Sequence, residues 1–440
     1  MPRAEQGKAD APVVLGGPTM DNTPEQEIHV SEAAEKIAIL IADGLGDRPC
    51  AELEGETPLE AADTPSLDAL ALRGECGIID PIAPGIRAGS DTSHLALLGY
   101  DPHRTYTGRG PFEAAGIGMD VRGGDICFRC NFATVDDKGV VIDRRAGRID
   151  SGTHELAQAL DGMEIDGIQV IFKESVEHRA ALVLRGPDLG HKVSDTDPHE
   201  EGQKVGQARG EDEESETTAR AVNEFVRRSH EILEDHPVNR QRVAEGKPSA
   251  NIALPRGAGV APHLEPFEQR HRLRGACVVE VGLIKGIGRY LHMEVPEVAG
   301  ATGGYDTDEM ALARATVEAL GQHDLVLCNL KAPDLAGHDG SFARKIEAVR
   351  KFDRLAGHVA SELGADAYIV ITGDHSTPVS VRDHSGDPLP IAIAGPCVRT
   401  DGVREFGERA AAMGGLSRIR GADLMPILTN LVNVQEKYGA

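Results

Sequence analysis

Three apolar runs in this chain each end on an aspartate. "KIAILIADG" (36–44) reaches Asp43, "HDLVLCNLKAPD" (323–334) reaches Asp334, and "AYIVITGDH" (367–375) reaches Asp374 with His375 behind it. A continuous apolar run suits a strand buried on both faces, as in a parallel sheet covered by helices. "PLPIAIAG" (388–395) and "GACVVEVG" (275–282) are further strands of this kind. Helical patterns fit within Ala61–Gly74 and over 307–321 and 341–363. Strand and helix alternation predicts an α/β fold with a doubly wound, mainly parallel sheet.

At 440 residues the chain is too long for one ordinary core. The middle reads differently from the ends. "ICFRCNFATVD", "GVVID", "IQVIFKES", "RAALVLRG" and "ANIALPRG" alternate as strands, with a helix near 216–235. The expected organisation is one domain from 36–121 with 273–440, and an α+β cap domain, 122–272, inserted into it. The polar, Gly- and Pro-containing residues 1–35 read as a flexible tail, and the acidic stretch 199–216 as a solvated loop.

Composition excludes some partners. Lys+Arg 46 against Asp+Glu 71 leaves −25, which disfavours nucleic acid and anionic membranes. With no Trp and 15 other aromatics, a stacking platform for single strands is not expected. Twelve lysines against 34 arginines fit a chain adapted to high salt, and fit a GC-rich coding bias nearly as well. The seven scattered cysteines follow no secretory segment, so reduced thiols in the cytoplasm are expected. Cys127 and Cys130 form a C-x-x-C, but three positions apart on a strand they point to opposite faces, away from a shared metal.

Ligands of open parallel sheets bind beyond the carboxyl ends of the strands. If the three runs are neighbours, Asp43, Asp334 and Asp374 with His375 converge there. His338 lies four residues after Asp334, and His384 precedes the next strand. Three carboxylates and three histidines suit Mn²⁺ or Zn²⁺, with Co²⁺ or Mg²⁺ as the other candidates, and suffice for two ions. Two-metal sites serve in-line phosphoryl displacement. "AGSDTSHLALLGYDP" (88–102) then offers a nucleophile: Ser90 before a helix starting at Asp91, with His94 one turn on. Singly, each bland reading wins: an Asp after a strand is usually a turn residue, a Ser before a helix usually a cap. Together, "D-x-x-x-H" and "G-D-H" at strand ends make coincidence the weaker account.

Several segments resemble one family. "DGLGDRP" (43–49), "AGSDTSHLALLGYDP", "YTGRGPFEAAGIG" (106–118), "FRCNFATVD" (128–136), "DRRAGR" (143–148), "LIKGIGRYLHM" (283–293), "DLAGHDG" (334–340) and "GDHSTPV" (373–379) look like the archaeal-type 2,3-bisphosphoglycerate-independent phosphoglycerate mutases, of the alkaline phosphatase superfamily. The resemblance implies an alkaline-phosphatase-like sheet. It implies one metal on Asp334, His338 and His384, and a second on Asp43, Asp374, His375 and Ser90. Ser90 is then phosphorylated by a small phosphorylated carboxylate, without 2,3-bisphosphoglycerate. A mutase must retain glycerate and return the phosphoryl group, which calls for closure and for arginine forks. Candidate substrate cations are Arg129, Arg145, Arg148, Arg179, Arg256, Lys285 and Arg289, while Arg144 is an even choice between substrate and a surface carboxylate. The rival readings are a phosphatase or phosphonate hydrolase of the same superfamily, a mutase for another metabolite, and a non-catalytic metal-binding protein.

Overall fold

The continuous apolar run at 36–42 is β1 (Lys36–Ala42), with six of its seven residues buried. A computed structural model describes residues 36–435, 437 and 439; the expected tail, 1–35, lies outside the described residues. After β1 comes β2 (Gly74–Asp80). A second sheet then takes β3 (Ile126–Val135), β4 (Val141–Asp143), β5 (Glu164–Ile165), β6 (Ile168–Glu174), β7 (Arg179–Arg185) and β8 (Ile252–Val260). The chain returns to the first sheet with β9 (Gly275–Val278), β10 (Leu325–Leu330), β11 (Ala367–Gly373), β12 (Leu389–Ala394) and β13 (Ser417–Arg420).

The larger sheet runs β13-β2-β12-β11-β1-β10-β9. Its β9, β10, β1 and β11 are mutually parallel, and β12 runs against both of its neighbours. The result is a mixed α/β fold on a mostly parallel sheet. "PLPIAIAG" is therefore a strand, but a reversed one. Helices such as Pro65–Leu72, Glu309–Leu320 and Phe342–Leu363 cover this sheet. Two strands escaped the sequence reading. β2 mixes glycine with polar residues, and β13 is an exposed edge with no apolar pattern.

Every pairing in the smaller sheet is antiparallel. Ile126, Phe128, Cys130 and Phe132 pack into its core with Phe225 of helix Glu213–Glu234. Cys127 joins a separate cluster with Ala114 and Val183, as alternation along a strand requires. The acidic stretch differs from expectation. It is not merely solvated, because Val141 N donates to Gln203 O and Val205 N to Gly139 O, so the stretch pairs along β4. The helix after it begins at Glu213, three residues earlier than expected.

One buried cation ties together the loops that leave β1 and β11. Lys345, on helix Phe342–Leu363, is 0% exposed. Its ammonium donates to Gly46 O (3.1 Å), Asp47 Oδ2 (2.8 Å) and Thr377 O (2.8 Å). Its three donors thus meet three acceptors, the condition for burying an ammonium. Asp47 N in turn donates to Glu408 Oε1, and Thr57 Oγ1 to Glu408 Oε2. Burial pushes the Glu408 carboxyl up to about 7.

Replacing Lys345→Met removes the buried counter-charge of Asp47 and the donor to Thr377 O, and should cost about 3–5 kcal/mol of stability; adding Asp47→Asn should recover part of it, as chemical denaturation will show. The raised Glu408 value means that the fold favours the protonated acid. Its stabilising contribution is complete below its ordinary value of 4.5 and fades as pH rises through about 7. Glu408→Gln should therefore gain thermal stability relative to the parent chain between pH 5 and 8, and show no gain at pH 4.

Candidate active site

β1 lies between β10 and β11, and the register of these three strands sets where their last residues emerge. Ala42 pairs with Leu330 on one side and Gly373 on the other. The next residues, Asp43, Lys331 and Asp374, therefore leave the sheet in one row. Asp334 comes in the first turn of helix Ala332–Asp339. Gly44 makes this approach possible: it has φ 64°, and a Cβ there would lie 2.8 Å from Asp334 Cα. Asp43, Asp334 and Asp374 are all buried. The expected convergence of strand-end aspartates is what the sheet order produces.

The carboxylates are only partly neutralised. Lys331 spans Asp43 Oδ1 (2.8 Å) and Asp334 Oδ2 (2.7 Å). Burial and the neighbouring Asp374 push the Asp43 carboxyl above its ordinary range. Burial acts upward on Asp334 too, yet Lys331 and His375 together hold it well below. Asp374 Oδ1 accepts from Gly44 N and His375 N, while its Oδ2 is buried without a hydrogen-bond partner.

Ligand atoms of Asp43, Asp374 and His375 lie within 4.8 Å of one another, and so do those of Asp334, His375 and His384. His338 stands beside the second group, its Nε2 3.4 Å from Asp334 Oδ1. The rings are already set for coordination. His384 donates from Nδ1 to Ala88 O, and His338 from Nδ1 to Arg382 O. Thr377 Oγ1 donates to Asp334 Oδ1, which leaves its oxygen to accept from His375 Nδ1. Each imidazole therefore presents an unprotonated Nε2 to the carboxylates, the tautomer a metal ligand needs. An orphaned carboxylate oxygen and oriented imidazoles fit divalent cations.

Ser90 is the first residue of helix Ser90–Leu97 and is not its cap. Gly89 is the cap, bridged by the Thr92 hydroxyl. The Ser90 hydroxyl is free for other work, and its Oγ lies 3.1 Å from His375 Nε2. His94, one turn on, is turned to the backbone. Its Nδ1 donates to Ser90 O (2.7 Å) and its Nε2 faces Asn329 Nδ2, so it orients the backbone of the first turn rather than serving the hydroxyl.

Ser90, Lys331, Asp334 and His384 open onto a cavity of about 1080 Å³. Its other wall is arginine. Arg129, Arg145, Arg148, Arg179 and Arg256 all line it, with Arg109 and Arg144. Glu113 sits beside Arg109 and Arg129, and Asp197 pairs with Arg144 and Arg256. Arg145, Arg148 and Arg179 have no ion pair among the described residues. Lys285 and Arg289, the other two candidate substrate cations, do not line the cavity. Lys285 pairs with Glu297, and Arg289 donates to Ala115 O and Gly116 O at the end of helix Gly110–Gly116, where the helix dipole favours a cation. The sequence reading also missed Lys331, Asn329 and Glu280. A polar pair inside "LVLCNLKAPD" was the available signal for the first two. Glu280 ties Lys331 N, Gly303 N and the Thr307 hydroxyl together at the cavity edge.

Residues 71–239 match the family model described as 2,3-bisphosphoglycerate-independent phosphoglycerate mutase. A relative of that description from Methanothermobacter thermautotrophicus is 54% identical over 411 residues, covering 92% of this chain and all of its own. Another, from Methanocaldococcus jannaschii, is 50% identical over 409 residues, covering 92% and 99%. A solved protein from Pyrococcus horikoshii superposes with TM-score 0.81 at 41% identity, over 92% of this chain and all of that one. A cofactor-independent phosphoglycerate mutase from Thermoplasma acidophilum gives 0.67 at 41% identity, over 90% of this chain and all of that one. By identity, coverage and fold, the chain belongs to the 2,3-bisphosphoglycerate-independent phosphoglycerate mutase family.

Proposed function

We propose that this chain interconverts 3-phosphoglycerate and 2-phosphoglycerate, an isomerase reaction, by passing the phosphoryl group through Ser90. The observation that carries the reading is the position of Ser90 Oγ: freed from capping, against His375, and facing the same cavity as the arginine wall. Asp334, His338 and His384 would hold one divalent ion, with His375 near enough to share it, and Asp43, Asp374 and His375 a second. Such ions, manganese or zinc first, supply charge that lowers the pKa of a neighbouring hydroxyl and offsets the phosphoryl oxygens.

The chain's own groups do the rest. The Ser90 oxygen attacks phosphorus as the bond to the C3 oxygen breaks, and the proton that Ser90 gives up ends on the C3 oxygen. Backbone N–H groups at the start of helix Ser90–Leu97 receive the phosphoryl oxygens. Arg129, Arg145, Arg148 and Arg179, with Arg256, hold the carboxylate of glycerate while it turns. The C2 oxygen then takes the phosphoryl group back. The segment 122–272, which carries the smaller sheet, acts as an inserted cap that excludes water so that phosphate is returned rather than released. The substrate is a small phosphorylated carboxylate, with no 2,3-bisphosphoglycerate needed. Among the described residues no helix is long and apolar enough to cross a membrane, and all seven cysteines are unpaired, in keeping with work in the cytoplasm.

With Mn²⁺ and 3-phosphoglycerate alone, 2-phosphoglycerate should appear with little free phosphate; stoichiometric phosphate release would make the chain a phosphatase. Ser90→Ala should cut turnover at least about 1000-fold with the thermal midpoint nearly unchanged. Chelation should abolish turnover and lower that midpoint, and added Mn²⁺ should restore both.

A further inference from the structure

Eight buried side-chain atoms have no hydrogen-bond partner among the described residues, and four of them share one wall of the cavity: Arg129 Nε, Asn131 Oδ1, His178 Nδ1 and Arg256 Nε. Native chains leave few such groups, so a cluster of them marks a place where a polar ligand completes the bonding. The sheet explains the grouping. Arg129 of β3 pairs in register with Arg256 of β8, Asn131 of β3 with Arg179 of β7, and His178 immediately precedes β7. Asn131 and His178 are 3% and 4% exposed.

The chemistry of this wall is unbalanced without them. Seven arginines offer donors only, which suits a carboxylate or phosphate but leaves a hydroxyl proton unmatched. Glu113 is occupied by Arg109, and Asp197 by Arg144 and Arg256. Glu177 is partly exposed, 3.7 Å from His178 Nδ1. Burial, with the surrounding arginines, holds the His178 imidazole down to about 3, so it stays neutral with one donor and one acceptor nitrogen.

We propose that Asn131 and His178 form a hydroxyl-recognition pair, which grips the alcohol of glycerate while the arginines grip its carboxylate. This rests on the mutase reading and extends it. Arginines alone retain any small anion, whereas the pair selects a hydroxy acid and keeps it through the turn. The pair therefore governs how much phosphoryl group returns to glycerate and how much is lost to water.

The test uses the full chain carrying Ser90→Ala, loaded with Mn²⁺, and two ligands: 3-phosphoglycerate and 3-phosphooxypropionate, which lacks only the C2 hydroxyl. Calorimetry should give a preference of about tenfold or more for the hydroxylated ligand, the effect of leaving buried polar groups unpaired. Asn131→Leu or His178→Leu should reduce the preference to within about twofold, and His178→Gln, which keeps an acceptor, should retain most of it. With Ser90 intact, the Leu variants should release at least about tenfold more phosphate per 2-phosphoglycerate formed. If a Leu variant fails to fold, Asn131→Ala and His178→Ala carry the same comparison. A preference and a partition that survive the Leu or Ala substitutions overturn the proposal. Failure of the parent chain to bind either ligand overturns the phosphoglycerate reading instead, and the pair with it.

Discussion

Three buried aspartates brought together at one sheet edge are the constraint that the rest of this structure answers. Putting Asp43 and Asp374 in one row beyond β1 and β11, with Asp334 against them from the first turn of helix Ala332–Asp339, concentrates negative charge where water cannot reach it. Such charge persists in a folded chain only when it is paired or coordinates a cation. Lys331 answers part of it by spanning Asp43 and Asp334. The histidines contribute no positive charge of their own when neutral, and burial holds the pKa of His375 down to about 3. One lysine against three carboxylates leaves a deficit, and the unpartnered Asp374 Oδ2 shows where part of it lies. Divalent cations, as proposed, would balance it. Lys345 belongs to the same account from behind, because it holds the two loops on which Asp43 and Asp374 ride.

The opposite wall of the cavity carries the opposite sign. In a chain of net charge −25, Arg145, Arg148 and Arg179, which have no ion pair among the described residues, stand together on one surface. On the proposed reading the two walls divide the labour: cations held by the aspartates would address the phosphoryl group, and guanidinium forks the rest of the substrate. A hydrolase needs only the first wall, since water accepts the phosphoryl group. A mutase needs both, because the dephosphorylated intermediate has lost the charge that the metal side recognises and must be held by its other end.

The larger sheet was legible where burial on both faces made the strands continuous apolar runs, as in β1, β10 and β11. It was illegible where that signal was absent, as in the glycine-broken β2 and the exposed β13. Strand direction was illegible in principle: "PLPIAIAG" reads the same whether it runs with or against its neighbours, and only the connection through His384 and β12 decides. The converging carboxylates and histidines were legible because carboxyl ends of parallel strands are where such groups meet. The arginine wall was half legible. Residue type suggested Arg129 and Lys285 equally, but orientation separates them: β3 turns Arg129 to the cavity, while helix Gly282–Tyr290 sends Lys285 to Glu297. Asn131 and His178 carried no signal of their own, since an Asn on a strand and a His before one are ordinary until their missing partners are seen.

The joint between the two walls is made of backbone. Helix Gly110–Gly116 packs against β3 on one side and against helix Gly282–Tyr290 on the other. A Cβ on Gly116 would overlap the carbonyl of Gly282, and one on Gly286 would overlap that of Phe112. Contacts of this kind contain no rotamers that could shift to absorb a displacement, so a movement of one wall passes to the other. The same glycines bring the arginine-bearing sheet as near to the aspartate row as two helices allow. A substrate of three carbons can be gripped at both ends only across a short gap. Gly116 and Gly286 therefore help set the spacing of the two walls through backbone contact alone.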